Sequence, residues 1–233
     1  MATVTPPRID AEGDQIVVMH DVGWSGYSAV LKARGDRCRP KIIYLDGDVS
    51  LVSPAYSHER LADRLGLIVK EIVVALRLPC ISTRSTTFRR KKRGGGGEAD
   101  ESFYLANAER IRGRKELQLR RDPPPDLVVE AVNTHAADES VEVWRRFRVP
   151  EVWVCDGREL VILVLQDDGQ YATSATSATF PFLPAAEILE WAVRESEGTD
   201  TDTDWMTDLR KWVAETLVER HRQHPERVRD ETG

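Results

Sequence analysis

Cysteine is scarce in this chain of 233 residues: Cys38, Cys80 and Cys155 stand far apart, with no C-x-x-C pair. A zinc ribbon and a disulfide framework are therefore excluded. Long apolar runs are missing too. No stretch of roughly 18 apolar residues is present to span a bilayer, and the opening MATVTPPRIDAEGD lacks the basic and apolar regions of a signal peptide, so a cytoplasmic protein without membrane association is expected. Nor is there an excess of positive charge. Thirty-three Lys and Arg against 39 Asp and Glu leave a net charge of −6, which repels a polyanion on average and confines any nucleic-acid contact to a local basic patch. H-E-x-x-H, G-x-x-x-x-G-K-[ST] and G-x-G-x-x-G are absent, and GWSGY lacks the spacing of a hydrolase nucleophile elbow. TDTDTD at 199–204 resembles the start of a calcium loop, but Trp205 stands where that loop needs glycine and Lys211 where it needs glutamate.

What remains is 41% hydrophobic and 31% charged, enough for one substantial core. The reading is a polar leader over 1–22, one domain over 23–196, and a linker with an amphipathic helix over 197–233. GWSGYSAVLKARG reads as a short helix, and KIIYLDGDVSLVSP as two strands about the Asp46-Gly47 turn. From Ser57 to Leu76, Leu61, Leu65, Ile68, Ile72 and Leu76 recur at helical spacing, with Ser57 placed to cap and Glu59 near the positive end of the dipole. CISTRSTTFRR and ESFYLAN read as strands. Between them RRKKRGGGG predicts a mobile, solvated loop whose cations, Arg89, Arg90, Lys91, Lys92 and Arg93, form the one basic patch able to meet DNA. Ala137, Val141, Trp144 and Phe147 share one helical face, and VPEVWVCDGRELVILVL gives two strands about Asp156-Gly157. A helix near 185–195 and a tail helix carrying Trp205, Leu209, Trp212 and Leu217 complete the chain; the tail helix is expected to pack on the body or on a second subunit.

The chemistry rests on carboxylates. In PPPDLVVEAVNTHAADE, strand alternation puts Asp126, Val128 and Glu130 on one face. A carboxylate near a sheet is costly to desolvate unless a cation meets it. Glu98, Asp100 and Glu101 open the neighbouring strand, and two such strands would offer an oxygen-rich site for magnesium or manganese, able to polarise a phosphodiester. Two readings stay open: a metal site, or Asp126 as a turn cap and Glu130 as a salt-bridge partner. His58 and His135 each lie beside acids, where hydrogen bonding and ligation are both open to them.

The order of YLDGDVSLVSPAYSHE, STTFRR, EADESFYLAN, PPPDLVVEAV and VPEVWVCDGRELVILVL, from about Trp24 to Trp191, resembles the Uma-type restriction endonuclease family, a branch of the PD-(D/E)XK nuclease superfamily. That resemblance implies an α/β (α+β) fold, a restriction-endonuclease-like mixed β-sheet flanked by helices. It implies a metal-dependent endonuclease acting on DNA, with Asp100 and Glu130 as metal ligands and catalytic residues. Asp126 would lie close to both, with His58, Glu59 and His135 in support; cleavage of two strands would suit a homodimer. The sequence departs from the pattern in three places, the first being Ala99 where the proline before the PD aspartate is expected. Val132 stands where E-x-K needs lysine, and the following helix offers Glu139 and Ser140 instead; Ser50 stands where the strand after the hairpin usually carries glutamate. Arg145 and Arg146 are cationic but cannot replace lysine as a proton donor or in geometry. Weakened catalysis, or a binding scaffold on the same fold, follows from those losses.

Overall fold

The computed structural model describes residues 3–5, 13–132, 136–194 and 201–223. Two six-stranded sheets are formed, one early and one late in the chain. The first begins with β1 (Thr3–Thr5) and β2 (Gln15–His20), followed by helix α1 (Gly23–Arg34) and the hairpin β3 (Lys41–Leu45) and β4 (Asp48–Ser53). Asp46 and Gly47 both have positive φ at the hairpin turn, as the Asp-Gly dipeptide predicts. Residues 15–19, expected in a polar leader, instead pair with β4, and their two faces are both used, Ile16 packing against one core cluster and Met19 against another.

Helix α2 (Tyr56–Leu76) comes next. Ala62, Leu65, Ile68, Val69, Ile72 and Val73 form its buried stripe. Leu65, Ile68 and Ile72 have no exposed surface, each worth about 1.5–3 kcal/mol of apolar burial. The expected Ser57 cap does not form: the N-cap position is Ala55, and the carboxylate of Asp14 accepts its backbone N–H at 2.8 Å.

The short strand β5 (Ile81–Ser82) leads to β6 (Thr87–Arg90), a 3₁₀ turn over Lys91–Arg93, and β7 (Gly95–Glu98). Here the sequence expectation fails. The glycine run is no mobile loop but a buried strand between β3 and β6. Crowding requires glycine at the centre of this strand, where a Cβ at Gly96 would collide with the Tyr27 hydroxyl; at Gly95 and Gly97 the side chains of Val143, Trp144 and Phe147 stand at ordinary contact distance. The first sheet runs β1-β2-β4-β3-β7-β6, antiparallel throughout.

Two residues past β7 the chain enters the second sheet as β8 (Glu101–Tyr104), so Ala99 and Asp100 lie at the crossing. A short helix α3 (Ala108–Ile111), β9 (Leu127–Ala131), α4 (Ala136–Phe147), β10 (Glu151–Cys155), β11 (Leu160–Leu165) and β12 (Tyr171–Ser174) follow. This sheet is mixed, ordered β12-β11-β10-β9-β8-β5, with β9 and β10 parallel. Helix α4 is the crossover between them. It also packs on β3 and β7, so Val143, Trp144 and Phe147 join a core with Ile43, Phe88, Val128 and Val152 from both sheets.

The tail closes the opposite face. Helix α5 (Ala185–Val193), helix α6 (Asp202–Trp212) and a π-helical turn (Val213–Leu217) cover α2, and α7 (Val218–Gln223) continues from the turn. Thr201 and Asp204 form a reciprocal capping box, and Trp205, Leu209, Val213 and Leu217 join the core of Leu65, Ile68 and Phe103. The tail helix therefore belongs to the body. No helix among the described residues is long and apolar enough to cross a membrane.

Candidate active site

Asp100, at the crossing between the sheets, and Glu130, near the end of β9, converge on one cation. It is the ammonium of Lys41, the first residue of β3, which donates to Asp100 Oδ1 at 3.0 Å and to Glu130 Oε2 at 2.6 Å. The remaining oxygens are also engaged. His58 Nε2 donates to Asp100 Oδ2 at 3.2 Å, as does the Ala131 backbone N–H at 2.9 Å; the Trp144 indole donates to Glu130 Oε1 at 2.5 Å. His58 is held from behind by Asp14, whose Oδ2 accepts from Nδ1 at 2.9 Å. Charges thus alternate along Asp14, His58, Asp100, Lys41 and Glu130.

Burial makes this alternation necessary. The Lys41 and Asp100 side chains are 7% and 5% exposed and that of Glu130 is sealed, so an unpaired charge here would cost several kcal/mol. Burial alone would lower the pKa of Lys41, but Asp100 and Glu130 outweigh it and hold the ammonium charged. Burial would likewise raise Asp100, yet Lys41 and His58 hold it well below the carboxylate range. For Glu130 burial prevails, helped by repulsion from Asp100, and lifts it to about 7. Burial would lower His58; its bonds to Asp100 and Asp14 instead raise it to about 9.

A cleft of about 360 Å³ opens over Lys41, Asp100 and Glu101, walled by α2, residues 38–39 and residues 84–85. Glu101 packs its side chain against Gly66 of α2, where a Cβ would lie 2.8 Å from its Cγ. Its Oε1 accepts from Lys70 at 3.3 Å, while its buried Oε2 has no partner. Burial raises its pKa.

The other candidates from sequence lie elsewhere or do other work. Asp126 is not beside the pair. It stands four residues before Glu130, about 13 Å along a strand, and caps the 105–107 turn by accepting from Leu105 N–H at 2.7 Å, Asn107 N–H at 2.9 Å and the Asn107 amide at 2.5 Å. Alternation alone gives it a strand face in common with Glu130; the rise of the strand keeps the two apart. Glu59 is half-exposed at the cleft wall, paired with Arg39. Glu98 lines the cleft but is engaged by Arg34 at 2.5 Å and the Ile42 N–H at 3.1 Å. Arg145 and Arg146 are bound to Glu142, and Arg146 to Asp46, so neither reaches the acids. His135 lies outside the described residues.

Arg89, Lys91, Lys92 and Arg93 are exposed and Arg90 half-buried, and none of the five makes an ion pair among the described residues. They flank the Gly95 end of β7, about 10 Å of strand from Glu98.

Sequence reasoning missed Lys41, Asp14 and Trp144. For Lys41 a signal existed: in KIIYL it shares a face with Ile43 and Leu45, an odd place for a charge without a partner. Asp14 carried none. A lysine thus stands beside Glu130 in space, from a strand 89 residues away in the chain.

A family model for Uma2, described as "Putative restriction endonuclease", matches residues 28–195. The chain belongs to this family. Uma2 membership supports nuclease function, and the restriction-endonuclease-like family generally uses divalent metal ions. The chain is also similar to a solved structure, a putative nuclease belonging to DUF820 from Anabaena variabilis ATCC 29413, at 12% identity and a TM-score of 0.45, over 75% of this chain and 92% of that one. No curated protein matches it.

The donor set of this Uma2 chain can be weighed against a divalent ion. Two hard carboxylate oxygens already face one buried point at 2.6 and 3.0 Å from a cation, and magnesium is commonly bound by one or two carboxylates with water and substrate phosphate completing its shell. Among the described residues no group of three His, Cys, Asp or Glu is arranged to hold a metal. The pair therefore fits an ion that takes the rest of its shell from water and phosphate, on condition that the Lys41 ammonium moves off the shared position. Glu139 on α4 is engaged elsewhere, accepting from the Ser50 hydroxyl at 2.5 Å.

Proposed function

We propose that the protein is an endonuclease that hydrolyses DNA phosphodiester bonds at Asp100 and Glu130, with magnesium or manganese as cofactor. One observation carries this: two carboxylates and one lysine, drawn from three separate strands or crossings, meet at one point beneath a cleft. Asp100 and Glu130 would hold the ion, which when bound would polarise the phosphodiester and make water a stronger nucleophile near neutral pH. Lys41 lines the cleft as well as touching both acids, so its ammonium can turn toward a phosphate oxygen that gains charge during attack. It thereby takes the part of the lysine that E-x-K lacks here. His58, steadied by Asp14, keeps Asp100 turned toward the shared point. The five cations of 89–93 would contact phosphates at a distance from the chemistry.

A second reading is favoured by the sealing of Glu130 and the full set of hydrogen bonds on both acids: a DNA-binding scaffold in which Lys41 has taken the metal's place. A plasmid-nicking assay in magnesium or manganese separates the two. Endonuclease activity is expected in the wild type and lost in Glu130→Gln and Lys41→Ala; equal nicking by wild type and Glu130→Gln would refute the first reading. An inert wild type that still binds duplex through residues 89–93 would establish the second.

A further inference from the structure

The cleft has features that the acid pair leaves unexplained. Tyr56, the first residue of α2, is 80% exposed and lines it. No hydrogen bond or ring contact holds this side chain among the described residues. Among the described residues Tyr56 is the one aromatic side chain left exposed to water, every other ring being buried or half-buried. Around the same opening stand three arginines. Arg39 is paired with Glu59, Arg60 with Asp202 at 3.8 Å, and Arg84 with Glu101 at 3.8 Å. Arg84 is 72% exposed, and the buried Nε of Arg60 has no hydrogen-bond partner. The Arg39 and Arg60 pairs are open to solvent on both sides and contribute about 0–1 kcal/mol, so these two arginines can trade them for phosphate contacts at little cost; Arg84 faces the buried Glu101, which keeps Lys70 as a partner at 3.3 Å if Arg84 turns outward.

The shape narrows the ligand. At about 360 Å³ the space is at the low end of small-molecule pockets, room for about one nucleotide and far less than a duplex cross-section. Asp100 and Lys41 are recessed at its floor, and a phosphate on the outside of a regular helix would stay above them. An exposed aromatic beside guanidinium groups is the arrangement by which proteins hold unpaired strands: the ring stacks on a base, whatever its identity, and the cations follow the backbone.

Taking its substrate from the endonuclease reading, we infer that this cleft receives one unpaired nucleotide of single-stranded DNA, with Tyr56 stacked on its base and Arg39, Arg60 and Arg84 on the flanking phosphates. Duplex reaches the acids only where a strand is already frayed, gapped or flipped out, since unstacking a paired base costs a few kcal/mol. The carboxylates among the cleft residues oppose a polyanion, so affinity is modest and depends on stacking more than on charge.

The test is fluorescence anisotropy in EDTA, using a labelled oligothymidylate and a hairpin duplex of equal nucleotide count. The wild type is expected to bind the single strand more tightly. Tyr56→Ala weakens that binding by roughly tenfold and leaves duplex affinity unchanged; Tyr56→Trp restores it. Arg84→Ala flattens the salt dependence by about one phosphate's worth. Single-strand affinity untouched by Tyr56→Ala, or an equal loss on duplex, would overturn the assignment. Because no metal is present, this result is independent of cleavage. Tyr56-dependent binding by a protein that never nicks DNA keeps the cleft and discards the endonuclease; Glu130-dependent nicking with no response to Tyr56 does the reverse.

Discussion

The acid pair and the basic turn are both like-charge clusters on neighbouring stretches of chain, and the fold treats them in opposite ways. Asp100 and Glu130 are buried, and every one of their carboxylate oxygens accepts a hydrogen bond from Lys41, His58, Trp144 or the backbone. Arg89, Lys91, Lys92 and Arg93 stay in water without an ion pair among the described residues. A buried charge must find its partner within the protein; an exposed one is satisfied by solvent and is left free for a ligand. The acids are therefore part of the fold's stability, and the turn is not.

Mutation can break that contrast most sharply at the acids. Glu130→Ala strips Lys41 of one partner and leaves the Trp144 indole unbonded, so a loss of about 3–5 kcal/mol in chemical denaturation is expected. Lys91, Lys92 and Arg93 replaced by alanine should each change stability by no more than about 0.5 kcal/mol. Comparable losses at both places would erase the distinction. Lys41→Met goes further, since it removes the cation and leaves two acids facing each other. That variant should be destabilised in EDTA, regain stability with manganese, and bind the ion at least tenfold more tightly than the wild type in calorimetry; weaker binding would mean that Lys41 does not stand in the ion's place.

Asp126→Ala sharpens the comparison from the other side, because Asp126 is a buried acid with three hydrogen bonds and no part in the pair. About 1–3 kcal/mol of stability should go, while nicking per folded molecule stays as it was. A smaller effect concerns pH. His58 has its folded pKa raised from 6.5 to about 9. Its bonds to Asp14 and Asp100 thus add stability that is fully present below about pH 6.5 and fades as pH rises through about 9. The gap in melting temperature between the wild type and His58→Asn should be widest near pH 6 and narrow above pH 9; a gap that grows with pH would contradict the assignment. Smallest in stability is replacement of the whole basic turn, which should leave melting unchanged and lower the salt dependence of duplex binding by about 0.9 for each phosphate that the turn neutralises.

Much of this was legible along the chain. The α2 stripe, the Asp46-Gly47 hairpin and the Asp156-Gly157 strands follow from local periodicity and turn chemistry, and α4 from the spacing of Trp144 and Phe147. Asp100 and Glu130 were readable as acids near buried strands. The glycine run was not, because composition favours a flexible loop; only the Tyr27 hydroxyl pressed against Gly96 explains why a side chain is excluded at that position of the strand. Asp126 was misplaced because alternation fixes the face of a strand but not the distance along it. The tail helix could be recognised as amphipathic, though nothing local revealed that it covers α2.

Local order thus determined by itself which segments become helix or strand and which residues carry charge, since those depend on neighbours a few positions away. The tertiary structure alone decided which charges meet. Lys41, Asp14 and Trp144 reach the acids from β3, the segment before β2, and α4, and pairing across 89 residues is set by how the two sheets close over one another. The cation at the centre is there because burying two carboxylates leaves the fold no alternative to supplying one.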